Sequence, residues 1–313
     1  MRILHVLALL IVLTVAPPAR AERVLADVPG AWGIAVDSKG DVFVSDSVST
    51  IYEVTQSGAV SVVATGLEGP WGLAFDAADD LFIALFDDPN TVIAEIPAGT
   101  TTVQPFLPFD VSNPAAGAAS GLTFDGQGNL FFASKPDGDI FEILRGTTTP
   151  LMIGEGFFDP IAIAVDAGGN IFVSRYSFDE IDRIPAGSVT PVLPNSGLVY
   201  ASGLNGPTGL VFDSSGNLLV SIFGNGSLGT SVEVIPAGAP APATPIPLVT
   251  GLIEPEYLAY RFGNLYIANS GAAGGQILTS APPIPTLPPG ALMLFGLIIA
   301  GSGYAAISRP KSP

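Results

Sequence analysis

Six copies of one short sequence pattern recur along this chain of 313 residues. In most copies a small residue is followed by alternating bulky and small residues and then by aspartate, whereas the sixth copy has tyrosine first and lacks the aspartate. Self-similarity at a period of about forty residues is the signature of a repeat architecture, so it constrains the fold more than composition does. The copies are Gly33–Asp37, Gly72–Asp76, Gly121–Asp125, Ala162–Asp166, Gly209–Asp213 and Tyr257–Tyr260.

Each copy is followed by a turn and by further short apolar segments that alternate in the manner of β-strands. The aspartate and the Gly-Asn or Gly-Asp pair that follow the first strand, as in Asp37–Asp41, are typical of tight turns, so these aspartates are predicted to be structural. Four short strands in each of six repeats predict an all-β chain. Its expected fold is a six-bladed β-propeller of four-stranded antiparallel blades.

The two ends of the repeat region predict how the ring closes. Glu22–Ala26 stands before the first repeat where a fourth strand is expected, and the sixth repeat ends after its third strand, Gln276–Thr279. We therefore expect the N-terminal strand to complete the last blade. This assigns residues 22–281 to the propeller.

The segments outside the propeller predict where in the cell the protein is located. Residues 1–21 have a basic start, an apolar run and a small-x-small ending, which indicates a secretory signal peptide, the alternative being an uncleaved anchor. Residues 282–289 form a Pro-rich linker, residues 290–308 an uncharged apolar segment expected to be a transmembrane or sorting helix, and residues 309–313 a short basic tail. We expect an exported protein held in the bacterial envelope or at the cell surface, with the membrane as one partner.

The C-terminal layout also resembles a known class of sorting signal. Ile284-Pro285-Thr286-Leu287, the apolar segment and the basic end are similar to the C-terminal signals of the PEP-CTERM type, including the variants that begin with IPTL, in Gram-negative bacteria. The tail departs from that pattern because Arg309 and Lys311 stand in place of a dense arginine cluster. A plain membrane anchor is the alternative.

Charge and two absences exclude several function classes. The propeller region carries seven basic and 28 acidic residues, a net charge of −21, which argues against binding to a phosphate backbone. The chain has no cysteine, and its single histidine is His5, inside the predicted signal peptide. A mature chain of this kind lacks the groups for a Ser-His-Asp triad, a thiolate nucleophile or a His-ligated zinc site.

The first repeat carries a second resemblance. Gly40–Ser47 (GDVFVSDS) resembles the NHL-repeat and gluconolactonase-like family of six-bladed propellers. Glu68-Gly69-Pro70 looks like that family's Glu-Gly-Pro motif, and the resemblance implies Glu68, Asn205 and Asp46 as ligands of a divalent metal. Oxygen ligands of this kind suit calcium. The implied activity is that of a metal-dependent lactonase or esterase, whereas a lyase like virginiamycin B lyase, which uses histidine, is disfavoured.

The main functional prediction is a non-catalytic module that needs no cofactor and binds a small molecule, glycan or protein, with the lactonase as the alternative. Its site is expected at one mouth of the central channel, where the residues before each first strand and after each second strand converge. Trp32 and Trp71, from neighbouring blades, predict an aromatic platform, although they could equally plug the channel. Arg175 and Asp46 could form an ion pair. The predicted ligand-binding residues are Trp32, Trp71, Asp46, Arg175, Glu256 and Asn269.

Overall fold

The structure is a computed structural model and describes residues 22–88, 91–108, 118–188, 191–194, 198–225, 229–271 and 275–280. Its strands form six four-stranded antiparallel sheets. Blade one holds β2 (Ile34–Val36), β3 (Val42–Ser45), β4 (Ile51–Val54) and β5 (Val60–Ala64). Blade two holds β6 (Pro70–Phe75), β7 (Leu81–Leu85), β8 (Thr91–Ile96) and β9 (Gln104–Pro108). Blade three holds β10 (Ala119–Phe124), β11 (Leu130–Ser134), β12 (Asp139–Ile143) and β13 (Pro150–Gly154).

The second half of the ring repeats this layout, with one short 3-10 helix at Tyr176–Phe178. Blade four holds β14 (Pro160–Val165), β15 (Ile171–Arg175), β16 (Glu180–Ile184) and β17 (Val199–Ser202). Blade five holds β18 (Pro207–Phe212), β19 (Leu218–Ile222), β20 (Ser231–Ile235) and β21 (Ile246–Thr250). Blade six holds β22 (Pro255–Arg261), β23 (Asn264–Asn269), β24 (Gln276–Ser280) and the N-terminal strand β1 (Glu22–Asp27).

The ring closes through the N-terminal strand, as predicted. Strand β1 pairs antiparallel with β24, from Glu22 opposite Ser280 to Asp27 opposite Gln276. The first strand of each blade packs against the first strands of both neighbouring blades, including β2 of blade one against β22 of blade six. The described residues therefore form the all-β, six-bladed propeller that the repeats predict.

The aspartates at the ends of the first strands are structural, in agreement with the sequence. In the turn after β2, the Oδ1 atom of Asp37 accepts hydrogen bonds from the backbone N–H groups of Lys39 and Asp41, both at 2.9 Å. The equivalent aspartates of blades two to five accept the same pair of bonds. Their carboxylates fix the turns that join first and second strands.

Blades pack by matching a bulky face to a small one. Ala35 on β2 lies in one buried cluster with Leu73 and Ile83 of blade two, so the small face of one blade meets the large apolar face of the next. This alternation within each first strand is what the sequence pattern predicts. Most of the core accordingly lies between neighbouring blades.

Close approach near the axis explains the repeated glycine. A Cβ atom on Gly33 would lie 1.8 Å from the carbonyl oxygen of Trp71 in the next blade. A serine at the same level of the second strand adds a hydrogen bond between blades: the Ser45 hydroxyl donates to the Trp71 carbonyl oxygen at 2.7 Å, and Ser174 donates to that of Thr208 at 2.9 Å. Ser221 makes the equivalent bond to Glu256. These contacts hold the upper ends of the first strands together around the channel.

The predicted segments at the two chain ends lie outside the described residues. These are residues 1–21 and residues 282–313, so the signal peptide, the linker, the C-terminal helix and the sorting signal stay predictions. Across the part of the chain that the structure describes, no helix has the length and apolar character needed to cross a membrane.

Candidate functional site

A tyrosine crosses the central channel. Tyr257 occupies the position that is glycine or alanine in the other five repeats, and its hydroxyl lies 3.0 Å from the carbonyl oxygen of Ser120 and 2.9 Å from that of Ile161. Those two residues belong to blades three and four, whereas Tyr257 belongs to blade six. Burial, together with the neighbouring Glu256, raises the pKa of the Tyr257 hydroxyl well above its usual value.

Tyr257 divides the channel into two parts. On the side where the first strands end, a cavity of about 170 Å³ is lined by the mid-strand residues of all six blades and by Tyr257 itself. On the other side, where the first strands begin, lies the space that we call the upper mouth. The tryptophans therefore do not have to close the channel, because Tyr257 already crosses it.

Five aromatic side chains from four blades form a continuous row at the upper mouth. Phe86 stacks on Trp71 with centroids 4.2 Å apart and planes 8° apart, and Trp71 contacts Trp32 at 5.3 Å. Trp32 contacts Phe223 at 6.3 Å, and Phe223 contacts Tyr176 at 6.1 Å. We call these five residues the aromatic row. The predicted contact between the two tryptophans is present, and it is part of a larger apolar surface than the sequence indicated.

Glu256 brings a buried acid to the same end of the propeller. Its side chain is 0% exposed, and its Oε1 atom accepts a hydrogen bond from the Ser270 hydroxyl at 3.1 Å. Its Oε2 atom is buried and has no hydrogen-bond partner within the described residues, and the same is true of the indole Nε1 of Trp32. One acceptor and one donor of neighbouring blades are thus left unpaired, an arrangement that folded proteins usually avoid.

The surroundings of Glu256 favour its neutral form. Burial raises the pKa of Glu256 well above its ordinary value of 4.5; the Ser270 hydroxyl and the Lys135 ammonium oppose the shift, and the Glu254 carboxylate adds to it. The contribution of the neutral Glu256 carboxyl to the stability of the fold is therefore fully present below pH 4.5, and it is lost as the pH rises through the higher pKa of the folded state.

This shift predicts how a Glu256→Gln variant responds to pH. Glutamine mimics the neutral acid, so we expect the free energy of unfolding of the variant, relative to that of the wild type, to increase steadily between pH 4 and pH 8. Denaturant unfolding at pH 4, 6 and 8 measures the difference. The exposed Glu68→Gln is the matched control and is expected to show no such trend. A constant difference between wild type and Glu256→Gln would contradict the assignment.

A lysine that the sequence analysis did not single out lies at the upper mouth. The Lys135 Nζ atom is 5.3 Å from the centroid of the Trp71 ring and 3.0 Å from Oδ1 of Asp159. Lys135 follows the last residue of β11, just as Phe86, Tyr176 and Phe223 follow the last residues of β7, β15 and β19. In each of these repeats, the side chain that reaches the mouth lies one residue further along the chain than the position that the sequence predicted, which in blade four is Arg175.

The structure places the predicted strand-end residues elsewhere. Arg175 continues the core-facing side of its strand, and its Nη1 atom lies 3.2 Å from Asp182 and 3.3 Å from Glu180, in its own blade. These are its ion pairs, rather than the one with Asp46 that the sequence offered as an alternative to a binding role. The Asn269 Oδ1 atom accepts a bond from the Ile253 N–H at 3.0 Å. The reason is the two-residue period of a strand, which puts these positions on the core face.

Asp46 is also engaged within its own blade. Its Oδ1 atom accepts hydrogen bonds from the backbone N–H groups of Val48, Ser49 and Thr50, at 2.7 to 2.9 Å. Burial acts to raise the pKa of Asp46, but these donors outweigh it and hold the pKa below its usual value. The carboxylate therefore stabilises the loop that follows β3.

Two of the three residues suggested as metal ligands already accept hydrogen bonds within the protein, and the third is exposed. Glu68 is exposed, Asp46 uses one oxygen for its own loop, and Oδ1 of Asn205 accepts a bond from the Asn225 N–H at 3.0 Å. Within the described ranges, no group of three or more acidic or histidine side chains could hold a metal ion. Asp46 and Asn205 would therefore have to share or give up a backbone hydrogen bond to ligate the divalent metal that the family resemblance implies.

Comparisons with known proteins give the fold and little more. No protein-family model matches the chain, and no curated protein matches it. A solved gluconolactonase from Xanthomonas campestris is 16% identical, with a TM-score of 0.68, over 84% of this chain and 90% of its own. Regucalcin from Agrobacterium tumefaciens, described as a calcium-binding protein, is 16% identical, with a TM-score of 0.64, over 86% of this chain and 98% of its own.

A third similar structure bears on the lyase alternative. Virginiamycin B lyase from Staphylococcus aureus is 16% identical with a TM-score of 0.57, over 83% of this chain and 86% of its own, and was solved as a catalytically inactive His-to-Ala variant. The only histidine of the present chain is His5, outside the described propeller. The structural neighbours are gluconolactonase-like six-bladed propellers, and at 16% identity they support the fold of this chain.

Proposed function

We propose that this propeller hydrolyses a small cyclic ester, a lactone, at its upper mouth. The observation that carries the proposal is the buried Glu256 carboxyl, which has an unpaired oxygen and lies at the same mouth as the unpaired indole N–H of Trp32. Similarity to a gluconolactonase and to other propellers of that type supports the substrate class, although identities of about one residue in six extend only to the fold.

The described propeller has no imidazole and no thiol, so a carboxylate is the available general base. A raised pKa suits Glu256 for this task, because a base is most effective when its pKa approaches the working pH. In the proposed step, Oε2 accepts a proton from a water molecule as that water attacks the ester carbon. Glu256 then returns the proton to the leaving ring oxygen, which gives the hydroxy acid.

The other groups of the mouth would position the substrate. The Trp32 Nε1–H is a free donor for the developing oxyanion, and the aromatic row supplies an apolar surface for the ring. Both unpaired atoms are shielded from solvent, so a substrate must displace side chains of the row to reach them. No step of this mechanism is assigned to a metal ion.

A second candidate is a binding module without catalysis at the same mouth. It is favoured by the hydrogen bonds that already occupy Asp46 and Asn205, since a propeller that does not use these residues for a metal could still bind a ligand at its mouth. Under this candidate the aromatic row holds a small molecule, a glycan or a protein side chain, and Glu256 accepts one hydrogen bond from it.

Hydrolysis of a panel of aldonic and alkyl lactones, followed by proton release, tests the first candidate. We expect turnover by the wild type and a loss of about 10²–10⁴-fold in Glu256→Gln, the usual contribution of a general base. Glu233→Gln, on β20 of blade five, is the matched control because burial also raises the pKa of Glu233. Binding without turnover would favour the second candidate, and equal turnover by Glu256→Gln would refute the assigned base.

Calcium is a separate arm of this experiment, because the family resemblance implies it. A ligand that binds only the folded form raises the melting temperature. We expect calcium to leave the melting temperature unchanged, because Asp46 and Asn205 already use their side-chain oxygens to accept backbone hydrogen bonds. An increase that is abolished by Asp46→Ala and Asn205→Ala would return the metal-dependent mechanism to consideration.

A further inference from the structure

The face of Trp71 already carries a cation. The Lys135 ammonium lies 5.3 Å from the centroid of the Trp71 ring, within the range at which a positive charge is attracted to the electrons of an indole. Lys135 extends from the end of blade three, whereas Trp71 belongs to blade two. The contact shows that this part of the upper mouth accommodates a nitrogen cation above an aromatic ring.

The contact that holds Lys135 is weak enough to be replaced. Its partner Asp159 and Lys135 itself are 22% and 30% exposed, and ion pairs at such positions contribute roughly 0–1 kcal/mol. Arg175, at the end of β15, is by contrast buried on the core face and is held by Asp182 and Glu180. Lys135 can therefore swing into solvent at little cost and leave its place to another cation.

The remaining charges around the mouth are negative. Asp159, Asp179 and Glu254 lie close enough to Tyr176 for their carboxylates to add to the rise that burial produces in its pKa. Glu256 also has an oxygen without a partner. A propeller region with a net charge of −21 attracts cations toward such a concave, partly apolar surface.

We propose that the upper mouth binds an organic cation, an amine or a quaternary ammonium group, over Trp71 in the place that the Lys135 ammonium takes in this structure. The face of the Trp71 ring contacts the charge, and the carboxylates of the rim balance it. Aromatic rings combined with negative potential are the usual means of recognising quaternary ammonium groups. This site does not depend on lactone hydrolysis, because it uses Trp71 and the rim rather than the reaction at Glu256.

The test is calorimetric titration of the full-length chain with tetramethylammonium chloride and with choline chloride, at constant ionic strength. Choline has a neutral counterpart of the same shape, 3,3-dimethylbutan-1-ol, which separates charge from apolar contact. We expect both cations to bind and the neutral alcohol to bind at least about tenfold more weakly, since the cation–π attraction is lost. Equal affinity for choline and the alcohol would overturn the proposal.

Two variants test the position of the cation. Lys135→Met keeps most of the length of the side chain and removes its charge, so we expect choline affinity to rise about three- to tenfold as the resident competitor disappears. Trp71→Leu should lower it by about fivefold or more, and Trp71→Phe, which keeps a ring, should lower it less. Lys39→Met, which removes a lysine from the turn after β2, is the matched control and should leave the affinity unchanged.

The outcomes separate this proposal from lactone hydrolysis. The cation site would be overturned if Lys135→Met bound choline with unchanged affinity. It would also be overturned if neither the wild type nor this variant bound either cation. Near-ultraviolet circular dichroism shows whether Trp71→Leu is folded, and Lys135→Met decides the matter if it is not. Neutral lactones measured on the same samples report on Glu256, so either proposal can fail while the other stands.

Discussion

Replacement of Tyr257 by glycine is expected to destabilise the propeller by about 3–5 kcal/mol, as other deletions of a buried aromatic ring do. The change brings the sixth repeat closer to the pattern of the other repeats, four of which have glycine at this position. Similarity to the repeat pattern therefore predicts a harmless or stabilising change, whereas the structure predicts the opposite. The reason is that the tyrosine fills the channel and bonds to carbonyl oxygens of blades three and four.

Thermal and denaturant unfolding measure this effect, with Ala162→Gly as the matched control at the equivalent position of blade four. The control removes one buried methyl group and should cost about 1 kcal/mol. Tyr257→Phe, which removes only the hydroxyl, is expected to fall between them, at about 1–3 kcal/mol. A Tyr257→Gly protein that melts with the wild type would show that Tyr257 does not support the channel.

Loss of the N-terminal strand is the second large expected effect. A chain that begins at residue 28 lacks β1, so β24 becomes an unpaired edge and the cluster that contains Ala26 and Val28 is opened to water. We expect a loss of several kcal/mol, a large part of the roughly 5–15 kcal/mol that stabilises a domain, together with association through the exposed edge.

A chain that begins at residue 22 is the control, because it keeps β1 in full. Denaturant unfolding measures stability, and light scattering measures association. Equal stability of the two chains would mean that the ring does not need its closing strand. A difference confined to association would mean that β1 only covers an edge.

The fold could be predicted from the sequence because the same strand pattern recurs in each repeat. A single copy such as Gly209–Asp213 is ambiguous, but six copies with the same alternation leave few architectures that bury every apolar face. Closure was predictable for the same reason, since one repeat lacks a strand and a spare strand stands at the other end. The aspartate turns followed from local chemistry, as the bonds to Asp37 show.

The site was predictable only in part. The residues before the first strands, including Trp32, Trp71 and Glu256, share a repeat position, and the structure brings the two tryptophans into contact. The residues after the second strands were misplaced by one position. Arg175 shares the face of Ile171 and Val173, which are core residues, so the period of the strand already carried the signal that Arg175 faces the core and Tyr176 does not.

Two other features could not have been predicted from the pattern. Tyr257 looked like degeneration of the sixth copy, because a side chain that crosses the ring has no signature within its own repeat. Lys135 was one of seven basic residues in an acidic region, and its contact with Trp71 joins two repeats that are separate in the sequence. Long-range pairs of this kind depend on the ring geometry rather than on local spacing.

The central claim is that the upper mouth is where this protein binds its ligand, and the chain contains its own reporter for it. Its only two tryptophans, Trp32 and Trp71, both lie in the aromatic row. Tryptophan emission should therefore change in a saturable way when choline or a bound lactone is added, with the same dissociation constant that calorimetry gives. Calorimetric binding that leaves the emission unchanged would place the ligand elsewhere and contradict the account.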